Sequence, residues 1–443
     1  MLAGLYTTLL RVLLPLVLLR LWWAGRADAR LRVDLGERLA RRRTGRRSGP
    51  QPVWVHAVSV GEVQAVAGLL RSLRARDPRR PVLLTMATAT GHARARDLYA
   101  AELAAAPGRA PLRLRYAPFD LPGALRRFLA QEQPCLALIL ETELWPNLLR
   151  ACERQGVPVA LVSARLSERS LRRYRTLAPG LMRRSLQRIA CLVTQSEADA
   201  QRLLALGAAA DRVVVGGKLK FDLQLPDDLS QRSQRLRDRV PGRRLWVAGS
   251  THAGEEQQVT AAHRRVLAGG LGDAVLLVLA PRHPERFDAV DAALRREGWV
   301  VQRHSQGAAV AAATQVLLVD TLGELLAWYG CAEVAFVGGS LVPVGGHNLL
   351  EPAALGVPVL SGPAQFNSPD AARLLAACGA LQTVTDAAGL ADAVDGLMRD
   401  AQEARRRGEA GRAMLQANRG AADRSLALLA GVLPPRVEEE PAA

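Results

Sequence analysis

The apolar positions of this chain fall into short runs, each followed by a turn or by a stretch with helical spacing. "PVWVHAV" at 52–58 is followed by "EVQAVAGLLRSLRAR" at 62–76. "PVLLTMA", "LRLRYAP", "CLALILE", "PVALVSA" and "CLVTQS" repeat the scheme, and "RVVV" at 212–215 adds a further run. Runs of this kind, rich in Val, Leu and Ile and mostly without strict alternation, suit strands covered on both faces. Strands alternating with helical stretches predict a parallel sheet. Residues 224 to 243 break the rhythm and read as a hinge. It resumes in "RLWVAGS", "AVLLVLA", "QVLLVD", "EVAFVGG" and "VPVLSG". The pattern predicts an α/β chain with two Rossmann-like domains facing a crevice, with ligands beyond the carboxyl ends of the strands. The expected division is 1–25, 26–225, 226–415 and a C-terminal helix with an acidic tail at 416–443.

The first 25 residues are set apart by being apolar almost throughout, interrupted by Arg11, Pro15 and Arg20. Residues 26 to 47 then carry nine arginines against three acids. That asymmetry places this side in the cytoplasm. A spanning helix and a helix lying in the interface both fit, and both attach the chain to a membrane. A cleaved leader ending at "ADA" (27–29) is the alternative, but its flanking charges lie on the wrong side.

Composition narrows the chemistry. Of 59 basic residues only two, Lys218 and Lys220, are lysines, and both stand in "GGKLKFD". A lysine retained amid so many arginines suggests a need for a compact point charge. A net charge of +17 reads either as arginine-rich composition or as the mark of an anionic partner. Aromatics make up only 4% of the chain and no nucleic-acid motif is present, which argues against a nucleic-acid partner. The five cysteines include no CxxC pair, so neither a disulfide framework nor a zinc site is expected.

Candidate chemistry gathers at the strand exits. "HAVSVGEV" places Glu62 just past a strand. Ser59-x-x-Glu62 reads equally as a helix capping box and as the seat of a general base. "ETELWPN" delivers Glu141 from the end of an apolar run, and "GGKLKFD" delivers Lys220 as a positive charge for a developing anion. In the second half, "LAPRHPERF" supplies Pro281 and Arg282. "DTLGELL" supplies Leu322, Gly323 and Glu324, with Thr321-x-x-Glu324 again fitting a capping box. "VGGSLVPVGGHNLLEP" supplies Asn348, Leu349, Leu350 and Glu351 at a predicted helix start. Together these three exits suit a nucleotide phosphate. No Asp-x-Asp, P-loop, HExxH or GxSxG motif occurs.

The ordered segments "SVGE", "ETELWPN", "SARLSERS", "LKFD", "STHAGEE", "PRHPERF", "DTLGEL" and "FVGGSLVPVGGHNLLEPAA" resemble the 3-deoxy-D-manno-octulosonic acid (Kdo) transferases of Gram-negative bacteria. The likeness runs from the first apolar residues to about residue 390. It implies a GT-B fold with an N-terminal membrane-anchoring helix. It also implies inverting, metal-independent transfer of Kdo from CMP-Kdo to the phosphorylated lipid A precursor at the cytoplasmic face of the inner membrane. By the resemblance Glu62 is the base, and Glu141 and Lys220 stabilise the transition state. CMP contacts fall to Pro281, Arg282, Leu322, Gly323, Glu324, Asn348, Leu349, Leu350 and Glu351. No cofactor is implied. A UDP-sugar transferase of the same fold is the runner-up.

Overall fold

Two seven-stranded sheets, parallel throughout, organise the protein, whose computed structural model describes residues 2–24, 26, 35–41, 49–104, 110–223 and 225–437. The first sheet is built from β1 (Val53–His56), β2 (Val82–Met86), β3 (Leu112–Tyr116), β4 (Leu136–Leu140), β5 (Val159–Ala164), β6 (Cys191–Thr194) and β7 (Val213–Val215). Its order is β3-β2-β1-β4-β5-β6-β7. The second contains β8 (Arg244–Thr251), β9 (Val275–Pro281), β10 (Val301–Arg303), β11 (Val316–Leu318), β12 (Val334–Val337), β13 (Val359–Ser361) and β14 (Leu381–Thr383). Its order is β10-β11-β9-β8-β12-β13-β14.

The apolar runs read from the sequence are the strands, and their lack of alternation is explained by burial on both faces. In β1, Val53 and Val55 enter one core with Leu84 and Leu138, while Trp54 enters the opposite one with Leu83 and Ile139. Successive side chains of a strand point to opposite faces, so both faces need apolar residues. The three-residue strands β10 and β14 were not foreseen. They are the outer strands of the second sheet, and each buries only its first residue fully.

Two compact units result: residues 1–222 with 420–443, and residues 223–419. The presumed hinge at 224–243 instead contains a helix, Leu229–Asp238, which belongs to the second unit. The chain also returns to the first unit after Arg419, which the sequence did not suggest. Asp222, the last residue of "LKFD", accepts hydrogen bonds from the backbone N–H groups of Gly420, Ala421 and Ala422. A carboxylate so placed satisfies the orphan amides that open the helix Ala421–Leu428.

The apolar N-terminus forms one helix, Leu2–Ala24, with Pro15 inside it. Tyr6 donates to Asp120 at 2.8 Å and Thr7 to Asn147 at 2.9 Å, tying its first turns to the first unit. Farther along, Leu9, Val12, Leu16 and Trp23 are exposed. Among the described residues, no helix is long and apolar enough to cross a membrane. Most of the basic stretch 26–47, the "ADA" segment and nearly all of the acidic tail lie outside the described residues.

Candidate active site

In a parallel sheet a crevice opens where the strand order reverses, and ligands bind beyond the carboxyl ends of the strands there. In the first unit that point lies between β1 and β4, which pair with His56 opposite Ile139. The loop after β1 leads to Glu62, and β4 runs directly into Glu141.

Glu62 sits in the first turn of the helix Val60–Ala65 and is only 7% exposed. Its carboxylate accepts from the Val58 N–H at 2.8 Å and from the Ser59 hydroxyl at 2.9 Å. Ser59 caps the helix, with its hydroxyl 3.5 Å from the Glu62 N–H. The capping arrangement therefore exists, but Glu62 reaches past the cap residue to Val58, and the carboxyl is buried rather than solvated. Burial pushes its pKa up to about 7, and the charges of Glu141 and Glu143 push in the same direction. A carboxyl poised there is half ionised near neutrality, the condition that suits a general base.

Glu141 stands at φ +53°, a left-handed backbone that few residues other than glycine adopt. The strain is of the kind that clusters at functional sites. Its N–H donates to Val162 O at 3.0 Å. Its carboxylate meets two cations, Arg165 Nε at 3.0 Å and Lys220 Nζ at 3.4 Å. Lys220 rides on the short 3-10 turn Leu219–Phe221, whose Leu219 and Phe221 are buried and aim it. The structure thus brings Glu62, Glu141 and Lys220 into one electrostatic cluster.

Glu143, the second acid of "ETELWPN", adds to the cluster and is held by Trp145 Nε1 at 2.6 Å. Two residues were not singled out from the sequence: Arg165, from "SARLSERS", and Asp120, which props the loop beside the site. Asp120 accepts the Leu148 N–H at 2.7 Å and the Asn147 N–H at 3.3 Å, capping the helix Pro146–Arg154 from another loop. Burial lifts its pKa to about 6. No local signal marks Asp120, because its partners lie 27 and 28 residues away.

In the second unit the order reverses between β8 and β12. Glu255, fully buried just after β8, accepts four backbone N–H groups: His252 at 2.9 Å, Gly339 at 2.7 Å, Ser340 at 2.9 Å and Leu341 at 2.9 Å. It pins the glycine-rich loop that follows β12. Gly338 must be glycine, since a Cβ there would stand 2.7 Å from Ser250 O and 2.9 Å from the Glu255 carboxylate. Asn367 fastens the far side of the loop, donating to Val344 O and Gly346 O, both at 3.2 Å. Glu256 receives Arg286 as a two-pronged ion pair at 2.8 and 3.0 Å.

The predicted nucleotide residues occupy the strand ends of this unit. Pro281 closes β9, and the Arg282 N–H donates to Thr251 O at 3.0 Å while its side chain is exposed. Leu322 is 71% exposed, and Gly323 adopts φ +85°. Arg232 holds this loop by donating to Gly323 O at 2.8 Å and pairing with Glu324 at 3.5 Å. Thr321 does not cap: the helix starts at Leu325 with Glu324 as its cap residue, and the Thr321 hydroxyl is buried without a hydrogen-bond partner. Asn348 donates to Glu351 at 3.0 Å and accepts the Leu350 N–H at 3.1 Å, so it initiates the short helix Leu350–Ala354. Leu349 and Leu350 are buried and present only their backbone. The helices Leu325–Tyr329 and Leu350–Ala354 pack together, which brings 322–324 near 348–351. Among the described residues no group of His, Cys, Asp and Glu is arranged to hold a metal ion.

Two doubly covered parallel sheets, each with charged side chains at its reversal point, define a protein with the architecture of GT-B glycosyltransferases. The UDP-GlcNAc 2-epimerase of Neisseria meningitidis shares that architecture, with a TM-score of 0.57 and 14% identity over 86% of this chain and all of the epimerase. A family model for 3-deoxy-D-manno-octulosonic-acid transferase (kdotransferase) matches residues 33–223. The 3-deoxy-D-manno-octulosonic acid transferase of Bordetella pertussis is 40% identical over 96% of this chain and 97% of its own. That of Haemophilus influenzae is 36% identical over the same shares. The chain belongs to the 3-deoxy-D-manno-octulosonic acid transferase family and is a glycosyltransferase.

Proposed function

We propose that this transferase moves Kdo from CMP-Kdo to a hydroxyl of the phosphorylated lipid A precursor, in one inverting displacement without a metal ion. The observation that carries the reading is the buried Glu62 carboxyl, poised near neutrality beside the Glu141–Lys220 pair. The acceptor oxygen attacks the anomeric carbon as its proton passes to Glu62. The bond from that carbon to the phosphate oxygen breaks, and its electron pair leaves on CMP. Glu141 carries negative charge for the cationic sugar of the transition state, and Lys220 and Arg165 hold that carboxylate in place. In the second unit, Arg282, the 322–324 loop and the Asn348–Glu351 turn serve the nucleotide.

The reading predicts that CMP appears only when both substrates are present, at a rate unchanged by EDTA. A requirement for added divalent metal in the transfer step contradicts it. Calorimetric titration with CMP and with UDP separates it from a UDP-sugar transferase, for which UDP binds and CMP does not.

The reading also assigns the protein to the cytoplasmic face of the inner membrane. Support comes from the exposed Leu9, Val12, Leu16 and Trp23 on the N-terminal helix, with Arg11 and Arg20 among them. Such a helix suits the headgroup boundary. The full chain is expected to sediment with anionic liposomes at low salt. A chain lacking residues 1–24 is expected to bind them more weakly. Equal binding by both chains contradicts an anchoring role.

A further inference from the structure

Three of the seven histidines meet at the carboxyl ends of β8, β9 and β12: His252, His283 and His347. His252 Nε2 lies 2.8 Å from His347 Nε2, with the ring planes within 6° and the centroids 5.0 Å apart. Nitrogens that close, in parallel rings whose centroids are that far apart, describe two imidazoles edge to edge, sharing a proton in their common plane. A face-to-face stack would not place them so. The His283 ring stands at 81° to that of His252, with the centroids 5.2 Å apart. Gly339 leaves room for the pair: a Cβ there would fall 2.9 Å from His347 Cδ2 and 3.6 Å from His252 Cδ2.

An N–H···N bond constrains the charge of such a pair. With both rings neutral, one Nε2 donates and the other accepts. Adding one proton at an outer Nδ1 leaves that bond intact. A second would set two N–H groups against each other and open it. The pair therefore carries zero or one positive charge. The facing groups favour zero in the free protein. From the β9 end come Arg282, His283 and Arg286, and from the β8 end Glu255 and Glu256, both engaged by other donors. Burial, followed by Arg282, His252 and His283, pushes His347 down to about 4.

We propose that His252 and His347 form a one-proton clamp for the phosphate of the donor nucleotide, neutral beside the phosphodiester and protonated as the departing phosphate gains its second charge. This rests on the nucleotide reading above. The balance is explicit. The sugar–phosphate diester carries one negative charge, and cleavage leaves the bond's electron pair on CMP, whose phosphate then carries two. The acceptor's proton goes to Glu62, which returns it to solvent, and one proton taken up from solvent joins the histidine pair and is given back when CMP leaves. The pair thus supplies positive charge at the leaving group when it is needed and is absent from the ground state.

The test is calorimetric titration of the full-length protein with CMP at pH 7.5, in buffers of different ionisation enthalpy. Cytidine serves as the arm without phosphate. Close to one proton taken up per CMP is expected, with none for cytidine. In His347→Asn and in His252→Gln that uptake is expected to fall to near zero, with CMP affinity reduced about tenfold. CMP binding without proton uptake overturns the clamp while leaving the nucleotide reading intact. Uptake unchanged in both variants overturns it in favour of His283. Failure of CMP to bind the wild-type protein overturns both readings.

Discussion

Glu62→Gln is expected to lower Kdo transfer by about 10²- to 10⁴-fold, the range that a positioned base contributes. Its affinity for CMP is expected to match the wild type, because the residues proposed to hold the nucleotide all belong to the second unit. The glutamine can keep both local bonds, with its oxygen accepting from Val58 N–H and its amide donating to the Ser59 hydroxyl. It cannot take the proton. The same change is expected to stabilise the fold above neutral pH. The folded pKa of about 7 lies above the ordinary 4.5, so the stability linked to protonated Glu62 is full below about 4.5 and lost as pH rises through 7. At pH 8 the wild-type protein bears that loss, up to about 3 kcal/mol, and the variant does not. Chemical denaturation at pH 8 checks the stability, and CMP release checks the rate. An unstable variant, or one that turns over normally, removes Glu62 from the role of base.

Lys220→Met is expected to lower kcat by about 10²-fold, because the Glu141 carboxylate that carries charge in the transition state loses one of the two cations that hold it in place. The lysine side chain is 40% exposed, so the effect on folding should stay below about 1 kcal/mol. Arg165 still faces Glu141 in the variant, at 3.0 Å. Rescue by Lys220→Arg should be poor, since a planar fork does not replace a point charge. Steady-state rates at saturating donor separate kcat from KM. A change confined to KM contradicts a transition-state role.

The fold was legible to the extent that burial leaves a local mark. The runs that became β1, β4, β8 and β9 are apolar because both faces are covered, and that shows in sequence. The outer strands β10 and β14 are short and partly wet, so their three residues leave no run. The stretch at 224–243 lacks the alternation of strands and helices, yet Leu229 and Leu236 are enough to seat a helix. At the site, the scarce Lys220 lies beside Glu141, and Asn348, singled out at a predicted helix start, opens a short helix. Thr321 misled, because a pattern that fits a cap says nothing about where the chain turns. Asp120, Glu255 and the His252–His347 pair are tertiary constructions. Glu255 and the loop amides it holds are 84 to 86 residues apart, and the two histidines 95. No local spacing encodes such contacts.

The pH dependence of kcat/KM for Kdo transfer, measured on wild type and on Glu141→Gln, bears most directly on the base. The base must be ionised, so the wild-type rate should rise with pH along a limb centred near 7. Removing the like charge of Glu141 should move that limb to lower pH, with folding intact. A limb at the ordinary carboxylate range in the wild type, or one that stays in place when Glu141 is neutralised, would contradict the assignment of Glu62.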